Sequence, residues 1–190
     1  MSDSVSISNR ALQRLGAKRI TSLSQDTPNA RSCNFCYDEL RRAELRAHPW
    51  SCAIKRIQIS ADATDPLFGK SKRYLLPSDF IRIMPLDPAQ NSLDFDYQIE
   101  GNYIYTDDAS PINLRYIYDL EDVSIMDALL REAISMRMAK EMCEEITQSN
   151  TKMELVQRDY KLAVREARKT NAIESIAQEP PEDTWVTVRA

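Results

Sequence analysis

The amino-acid sequence predicts an α+β fold: an antiparallel helix bundle built from both ends of the chain, with a mostly antiparallel β insert and an extended C-terminal tail. Apolar residues recur every three or four positions before residue 50 and again after residue 119, a period typical of helices. Between these regions, short runs rich in Ile and Tyr are broken by Pro, Asp and Asn. We therefore expect a helical bundle from residues 1–50 and 119–176, a β insert at 51–118 and an extended C-terminal arm at 177–190.

Two helices are expected before the β insert. The first covers residues 5–15 and stops at Gly16, where a left-handed C-cap fits. The second begins with Thr27 as its cap and Pro28 at the first helical position. It ends at His48-Pro49-Trp50, because a residue before proline is pushed away from helical dihedral angles.

The β insert is expected to hold several short strands. Gly101-Asn102 separates two strand-like runs and suits a tight hairpin turn. The last run alternates apolar and polar residues strictly enough to have one buried face. The strands expected are residues 54–59, 74–76, 80–84, 97–100, 103–105 and 112–118.

Two long helices are expected after the insert. Asp122 or Ser124 can cap a helix that runs to about Thr147 and turns Ile125 inward. A second helix covers residues 152–173 and forms an antiparallel hairpin with the first, because only a short polar turn joins them.

Composition excludes several classes of protein. The chain has 190 residues, one His, 3 Gly and a net charge of -4, which disfavours His-based metal sites and Gly-rich phosphate loops. No stretch has the roughly 18–20 apolar residues of a membrane helix, and no secretory signal precedes the first helix. Residues 1–60 carry 10 Lys/Arg and 5 Asp/Glu, whereas residues 61–120 carry 5 and 10. This split predicts complementary faces within the fold or between copies, while the acidic total disfavours a nucleic-acid binder.

The cysteines and acids offer weak candidates for chemistry. Cys33 and Cys36 have the spacing of a redox or zinc pair, but they fall inside a predicted helix, and buried free thiols commonly serve as packing groups. His48 beside Cys52 lacks an orienting partner. Glu144-Glu145 are adjacent and point to different sides of a helix, as adjacent helical residues do. We expect no cofactor, no metal and no enzymatic activity.

Two helical faces each leave two interpretations open. Methionines at helical spacing form either core or an adaptable groove for a partner; they are Met126, Met136, Met138, Met142 and Met153. Ala30, Cys33, Tyr37, Leu40 and Ala47 are expected inward on the second helix. Four arginines are expected on its opposite side, where they form either a channel face for nucleic acid or a solvated or inter-subunit face: Arg31, Arg41, Arg42 and Arg46.

The C-terminal arm combines an acidic, proline-stiffened start with a segment of high strand propensity. Trp and Val are uncommon in disordered termini, since they are favoured only when buried. We therefore expect the arm to dock, either on its own domain or on a neighbouring chain. The expected contact residues are Trp185, Val186, Val188 and Arg189.

Four segments together resemble one family. They are NRALQRLGAKRITSLSQDTPNARSCNFCYDELRRAELRAHPWSCA, YLLPSDFIRI, YQIEGNYIYTDDASPINLRYIYDLED and PPEDTWVTVR. In this order they resemble the head-to-tail adaptors of short-tailed bacteriophages, the tail tubular protein A family. The resemblance covers nearly the whole chain, and it depends on the series of segments because none of them is a catalytic signature.

The resemblance implies a structural virion protein of the phage tail or neck, assembled in the bacterial host cytoplasm. Twelve copies would form a ring that binds the portal protein, joins the tail nozzle protein and continues the channel for double-stranded DNA, without sequence-specific binding and without a membrane anchor. Two alternatives stay open: a neck or head-completion protein of a long-tailed phage, and a tail-associated cell-wall hydrolase that uses Glu144 or Glu145.

Overall fold

Residues 3–85 and 96–173 are described by the computed structural model of this chain. They form an α+β fold with four α-helices and two three-stranded antiparallel sheets. The chain divides into two compact units. The helical unit takes its described residues from 3–53 and 119–173, and the β unit takes its described residues from 54–85 and 96–118.

The two N-terminal helices confirm the expected start and stop signals. Helix α1 (Ser4–Leu15) begins where the Asp3 carboxylate accepts a hydrogen bond from the Ser6 N–H at 2.8 Å. It ends at Gly16, whose φ of 76° is left-handed and therefore suits glycine. Helix α2 (Pro28–Ala47) is capped by Thr27, and it ends at His48, which is extended.

The third helix begins later than the sequence predicts. Helix α3 (Ala128–Thr147) is capped by Asp127, whose carboxylate accepts from the Leu129 and Leu130 N–H groups. Asp122 caps only an isolated turn, where its carboxylate accepts from Ser124. Ile125 is consequently 55% exposed and does not face inward. Helix α4 (Asn150–Ile173) follows after a left-handed Gln148.

The helices from both ends of the chain pack together, as predicted. Helix α3 lies against α1, α2 and α4, so the second helical stretch supplies the centre of a bundle that the first stretch helps to cover. Burying apolar side chains between these helices stabilises the unit at roughly 25 cal/mol per Å². The large side chains that are fully buried in it include Leu12, Leu45, Leu130, Ile134 and Met138.

The β unit consists of two sheets in which every strand pair is antiparallel. One sheet has the order β1-β6-β3, from β1 (Ile54–Ile59), β6 (Ile112–Tyr118) and β3 (Phe80–Met84). The other has the order β2-β5-β4, from β2 (Lys72–Leu75), β5 (Tyr103–Thr106) and β4 (Tyr97–Glu100). All six expected strands are present, and Gly101-Asn102 forms the expected hairpin turn.

A single apolar cluster holds the β unit together. It contains Tyr74 of β2, Ile104 of β5 and Leu114 and Tyr116 of β6, each no more than 2% exposed. Both sheets therefore contribute residues to one core. The alternation in β6 explains this, since residues 112, 114 and 116 point to the same face of the strand.

Candidate functional site

Arg41 is buried, which corrects its assignment to an exposed arginine face. Its side chain is 2% exposed and forms an ion pair with Asp119, which is itself 10% exposed. The same guanidinium donates to the Leu120 carbonyl at 2.8 Å and lies 3.3 Å from the Asp38 carboxylate. Arg41 therefore anchors the chain that enters the helical unit after β6, and it cannot line a channel.

The reason for this correction lies in the period of α2. Tyr37, Arg41 and Leu45 follow one another at intervals of four residues and are all buried, so they share the inward face of the helix. Ala47, which the sequence reading placed inward, is exposed. The four-residue spacing from Cys33 to Leu45 indicates which face of α2 is buried. Arg41 falls within that spacing, but a charged residue is normally assigned to the solvent side.

The other three arginines of α2 are exposed. The Arg31 side chain is 66% exposed and pairs with Asp26. Arg42 is 52% exposed, and its Nε lies 3.0 Å from the Asp119 carboxylate. Arg46 is exposed one turn further along the helix, so Arg42 and Arg46 are surface neighbours whereas Arg31 lies three turns away. Of the four arginines predicted for a channel or inter-subunit face on α2, only Arg42 and Arg46 are exposed neighbours. Arg31 is exposed but lies three turns away from them.

A buried carboxylate that the sequence reading did not single out connects three helices. Glu44 is 0% exposed, and its Oε2 accepts from Arg137 Nη1 at 2.9 Å and from the Tyr160 hydroxyl at 3.0 Å. The indole Nε1 of Trp50 donates to the Glu44 carbonyl at 3.1 Å. Burial, together with the Glu44 charge, raises the pKa of Tyr160. Glu44 joins α2 to α3 and α4, and it fixes the chain just before it enters the β unit.

Cys33 and Cys36 lie buried on the inward face of α2. The Cys33 Sγ contacts the Met142 Sδ at 3.7 Å, so this thiol packs against α3. Burial raises the pKa of Cys33 to about 11 and that of Cys36 to about 12, which keeps both thiols protonated near neutral pH. These positions agree with the interpretation of the pair as packing groups.

His48 and Cys52 are not arranged around a shared reacting centre. The His48 ring meets the Trp50 ring edge to face with centroids 4.8 Å apart, and its Nε2 lies 3.2 Å from Asn171 Nδ2. Cys52 is half-buried after this corner. The region forms a corner that closes the helical unit, as the sequence interpretation held.

The acids of the hydrolase alternative are adjacent residues of α3, and both are exposed. The Glu145 carboxylate accepts from the Ser32 hydroxyl at 2.8 and 2.9 Å, so it binds the first turns of α2. The methionines favour the core interpretation, because Met126, Met136 and Met142 are each 3% exposed and Met138 is fully buried. Met153 is half-buried.

Two large apolar residues project from the β unit and escaped the sequence reading. Leu67 is 98% exposed and Phe68 is 89% exposed, in a loop before β2. The ends of this loop are fixed by ion pairs of Lys70 with Asp107 at 3.0 Å and of Lys72 with Asp65 at 3.0 Å. The alternation and helical period of apolar residues do not predict exposed apolar residues in a loop, because their exposure depends on how the surrounding strands fold.

The expected contact residues of the C-terminal arm, Trp185, Val186, Val188 and Arg189, lie outside the described residues. No helix in residues 3–85 and 96–173 combines the length and the apolar composition that crossing a membrane requires. Searches against protein-family models and against curated proteins give no match to this chain.

Proposed function

We propose that the chain is a structural virion protein, a ring-forming head-to-tail adaptor that joins a portal to a tail nozzle and continues the DNA channel. The support is the ordered series of segments that resembles this family. In the fold, the first three segments are the helix pair that ends at His48-Pro49-Trp50, strand β3 with the Pro77-Ser78-Asp79 turn before it, and the β4–β5 hairpin with β6, while the fourth lies outside the described residues.

The observation that carries the proposal furthest is how the chain passes between its two units. The outgoing passage is anchored to the helical unit by Trp50, whose indole binds the Glu44 carbonyl. The returning passage is anchored by Asp119, which binds Arg41. An adaptor needs one part that forms the ring and another that engages the next ring, and a chain divided into a helical unit and a β unit suits that design.

Charge supports contacts between unlike faces of neighbouring copies. The first helical stretch, residues 1–53, carries 8 Lys/Arg and 5 Asp/Glu. The second stretch, residues 119–173, carries 9 Lys/Arg and 11 Asp/Glu. A ring of identical subunits requires two different faces that complement each other, and opposite net charge is one way to provide them.

The partners proposed are the portal protein, the tail nozzle protein, further copies of the chain in a dodecameric ring, and DNA that passes through without sequence readout. The arm is proposed to grip the portal through Trp185 and Arg189. An aromatic anchor of this kind is the residue type that dominates many interfaces. Arg42 and Arg46 are proposed to face the channel or the next subunit.

Electron microscopy of the purified protein mixed with its portal tests the proposal. We expect closed rings of twelve copies seated on the portal. The matched control is the portal alone, which should lack the added layer. A protein that stays monomeric with the portal and clears a peptidoglycan gel would overturn the adaptor and favour the hydrolase.

A further inference from the structure

Strand β1 has one side of its backbone open to a further strand. It lies at the edge of the β1-β6-β3 sheet, and within residues 3–85 and 96–173 its only strand partner is β6. Its side chains Ile57 and Ile59 are only half-buried, although they pack on the core of the β unit. An edge of this kind is a template for an added strand.

Two arginines on this sheet form no ion pair with an acid in residues 3–85 and 96–173. Arg56 of β1 lies directly opposite Arg115 of β6, a pairing of like charges that destabilises a sheet. Neither forms an ion pair with a carboxylate in the described part of the chain, and Arg115 donates instead to the Pro85 carbonyl at 2.8 Å. The lysines of the β unit differ from these two arginines, because each of them pairs with an aspartate. The pairs are Lys55–Asp79, Lys70–Asp96, Lys70–Asp107 and Lys72–Asp65.

A cavity of about 420 Å³ lies against the same part of β1. Ile57 and Leu114 give it an apolar lining, while Arg56, Gln58 and Asn113 give it a polar one. An occupant that fits both parts has a large apolar side chain with a carboxylate close by in sequence. The cavity and the two arginines therefore specify the same kind of segment, an extended strand with acidic and apolar residues.

The last turns of α4 contact the chain that leads into β1. Near the end of α4, the Asn171 side chain accepts from the Ser51 N–H at 2.9 Å and donates to the Pro49 carbonyl at 3.0 Å. Ser51 precedes the first residue of β1, Ile54, by three positions, so the covalent chain holds them within about 10 Å. The end of α4 is thus tied to the residues of the helical unit that lead along the chain into the edge strand.

The length of the arm is sufficient for the whole of β1. Between Ile173 and Trp185 the chain can extend by about 40 Å, and the six residues of β1 span only about 20 Å. The sequence of the arm supplies what the edge lacks. Glu182 and Asp183 are followed by Thr-Trp-Val-Thr-Val, a run of high strand propensity.

We propose that the C-terminal arm docks on the edge of β1 in its own chain. It adds a strand there, places Trp185 in the cavity beside Ile57, and brings Glu182 to Arg56, because residues 182 and 185 lie on opposite faces of an extended strand. This docking does not depend on the proposed function, because it needs no second protein. In an adaptor it gives the arm a stored position, which the arm leaves when it grips the portal.

Hydrogen exchange of the β1 amides tests the docking. The full chain is compared with a chain that ends at residue 173, both at a concentration that keeps them monomeric. We expect the amides of residues 54–59 to exchange about tenfold more slowly in the full chain, since a docked strand protects an edge. Equal rates in the two chains would overturn the proposal. Protection that appears only as the concentration rises would assign the edge to the arm of a second copy and overturn docking within one chain.

Charge variants of the full chain test the ion pairs without removing the arm. Arg56→Glu should raise the exchange rate of residues 54–59 toward that of the shortened chain, whereas Arg165→Glu, an exposed arginine of α4, should leave it unchanged. Combining Arg56→Glu with Glu182→Arg should restore the slow rate. Failure of this combination, while circular dichroism shows a folded protein, would overturn the proposed pairing.

A synthetic peptide of residues 177–190 provides a measurement that does not rely on any variant of the folded unit. Added to the chain that ends at residue 173, it should slow exchange at residues 54–59 and shift its own Trp emission to shorter wavelength. A peptide with Trp185→Ala should have a weaker effect. A peptide that protects no part of β1 at saturating concentration would overturn the docking site.

Discussion

Asp119 binds two consecutive arginines of α2 from the first position after β6. One carboxylate oxygen pairs with the buried Arg41, and the other lies 3.0 Å from Nε of the half-exposed Arg42. The two arginines differ strongly in burial, since the Arg41 side chain is 2% exposed and that of Arg42 is 52% exposed. Since a buried charge that loses its partner cannot be compensated by water, the two arginines are expected to differ in their importance for stability.

Replacement of Arg41 by Ala should destabilise the helical unit by about 3–5 kcal/mol, because it leaves Asp119 with less compensation and opens space in the core. Arg42→Ala is the matched control and should cost about 1 kcal/mol or less, since that side chain is 52% exposed. Urea unfolding followed by circular dichroism gives both free energies. Equal losses for the two variants would contradict the structural difference between them.

Replacement of both Cys33 and Cys36 by Ala should leave assembly intact at moderate temperature. Each buried truncation is expected to cost about 1 kcal/mol, because the thiols act as packing groups against α3. Ring formation and zinc content of the purified protein check this expectation. Stoichiometric zinc, or loss of assembly on chelation, would show that the thiols bind a metal.

The native thiols should also differ in reactivity. Burial raises the pKa of Cys33 to about 11 and of Cys36 to about 12, so at pH 8 only a small fraction of either is thiolate. Cys52 is half-buried and should react first with a thiol reagent. Mass spectrometry of the folded protein after brief alkylation identifies the modified residues, and early labelling of Cys33 would contradict the expectation.

Asp79 should make the β unit sensitive to acid. Burial acts to raise the pKa of Asp79, but hydrogen bonds from Lys55 at 2.7 Å and Tyr116 at 2.9 Å outweigh it and leave the pKa lowered from 3.8. The folded state therefore binds fewer protons at this site than the unfolded chain. Its contribution to stability is complete above the ordinary pKa of an aspartate and is lost as the pH falls through the lowered value.

The comparison of the wild type with Asp79→Asn isolates that contribution. Thermal midpoints measured from about pH 6 to about pH 2 should differ most at the upper end and converge at the lower end, because protonation removes the charge from the wild type as well. Asp65→Asn serves as a control, since its carboxylate is 64% exposed. A difference that stays constant over the whole range would contradict a role for ionised Asp79.

Deletion of residues 183–190 should leave a folded protein that no longer joins its portal. The described helices end at Ile173 and pack against one another without the arm, so the melting point of the helical unit should change little. Loss of the Trp185 anchor removes about 2–4 kcal/mol of the proposed binding. Melting by circular dichroism and co-sedimentation with the portal check the two halves of this prediction. Portal binding at full strength after the deletion would show that the arm is not the grip.

Local signals in the sequence determined the elements of this fold. Thr27 and Pro28 start α2, Gly16 ends α1, and Gly101-Asn102 turns the β hairpin, because each of these residue types favours one backbone conformation whatever its neighbours do. The start of α3 was less certain, since Asp122 and Asp127 are both able to cap. Only the packing of the helix decides which of them begins it.

The tertiary structure alone decided which charged residues are buried. Arg41 and Glu44 have the composition of a solvent face, and they became interior only because Asp119, Arg137 and Tyr160 arrive from elements far along the chain to bind them. Pattern reasoning assigns charge to water, since burying it unpaired is costly. A partner more than 70 residues away in the sequence offsets that cost, and no local sequence pattern predicts such a partner.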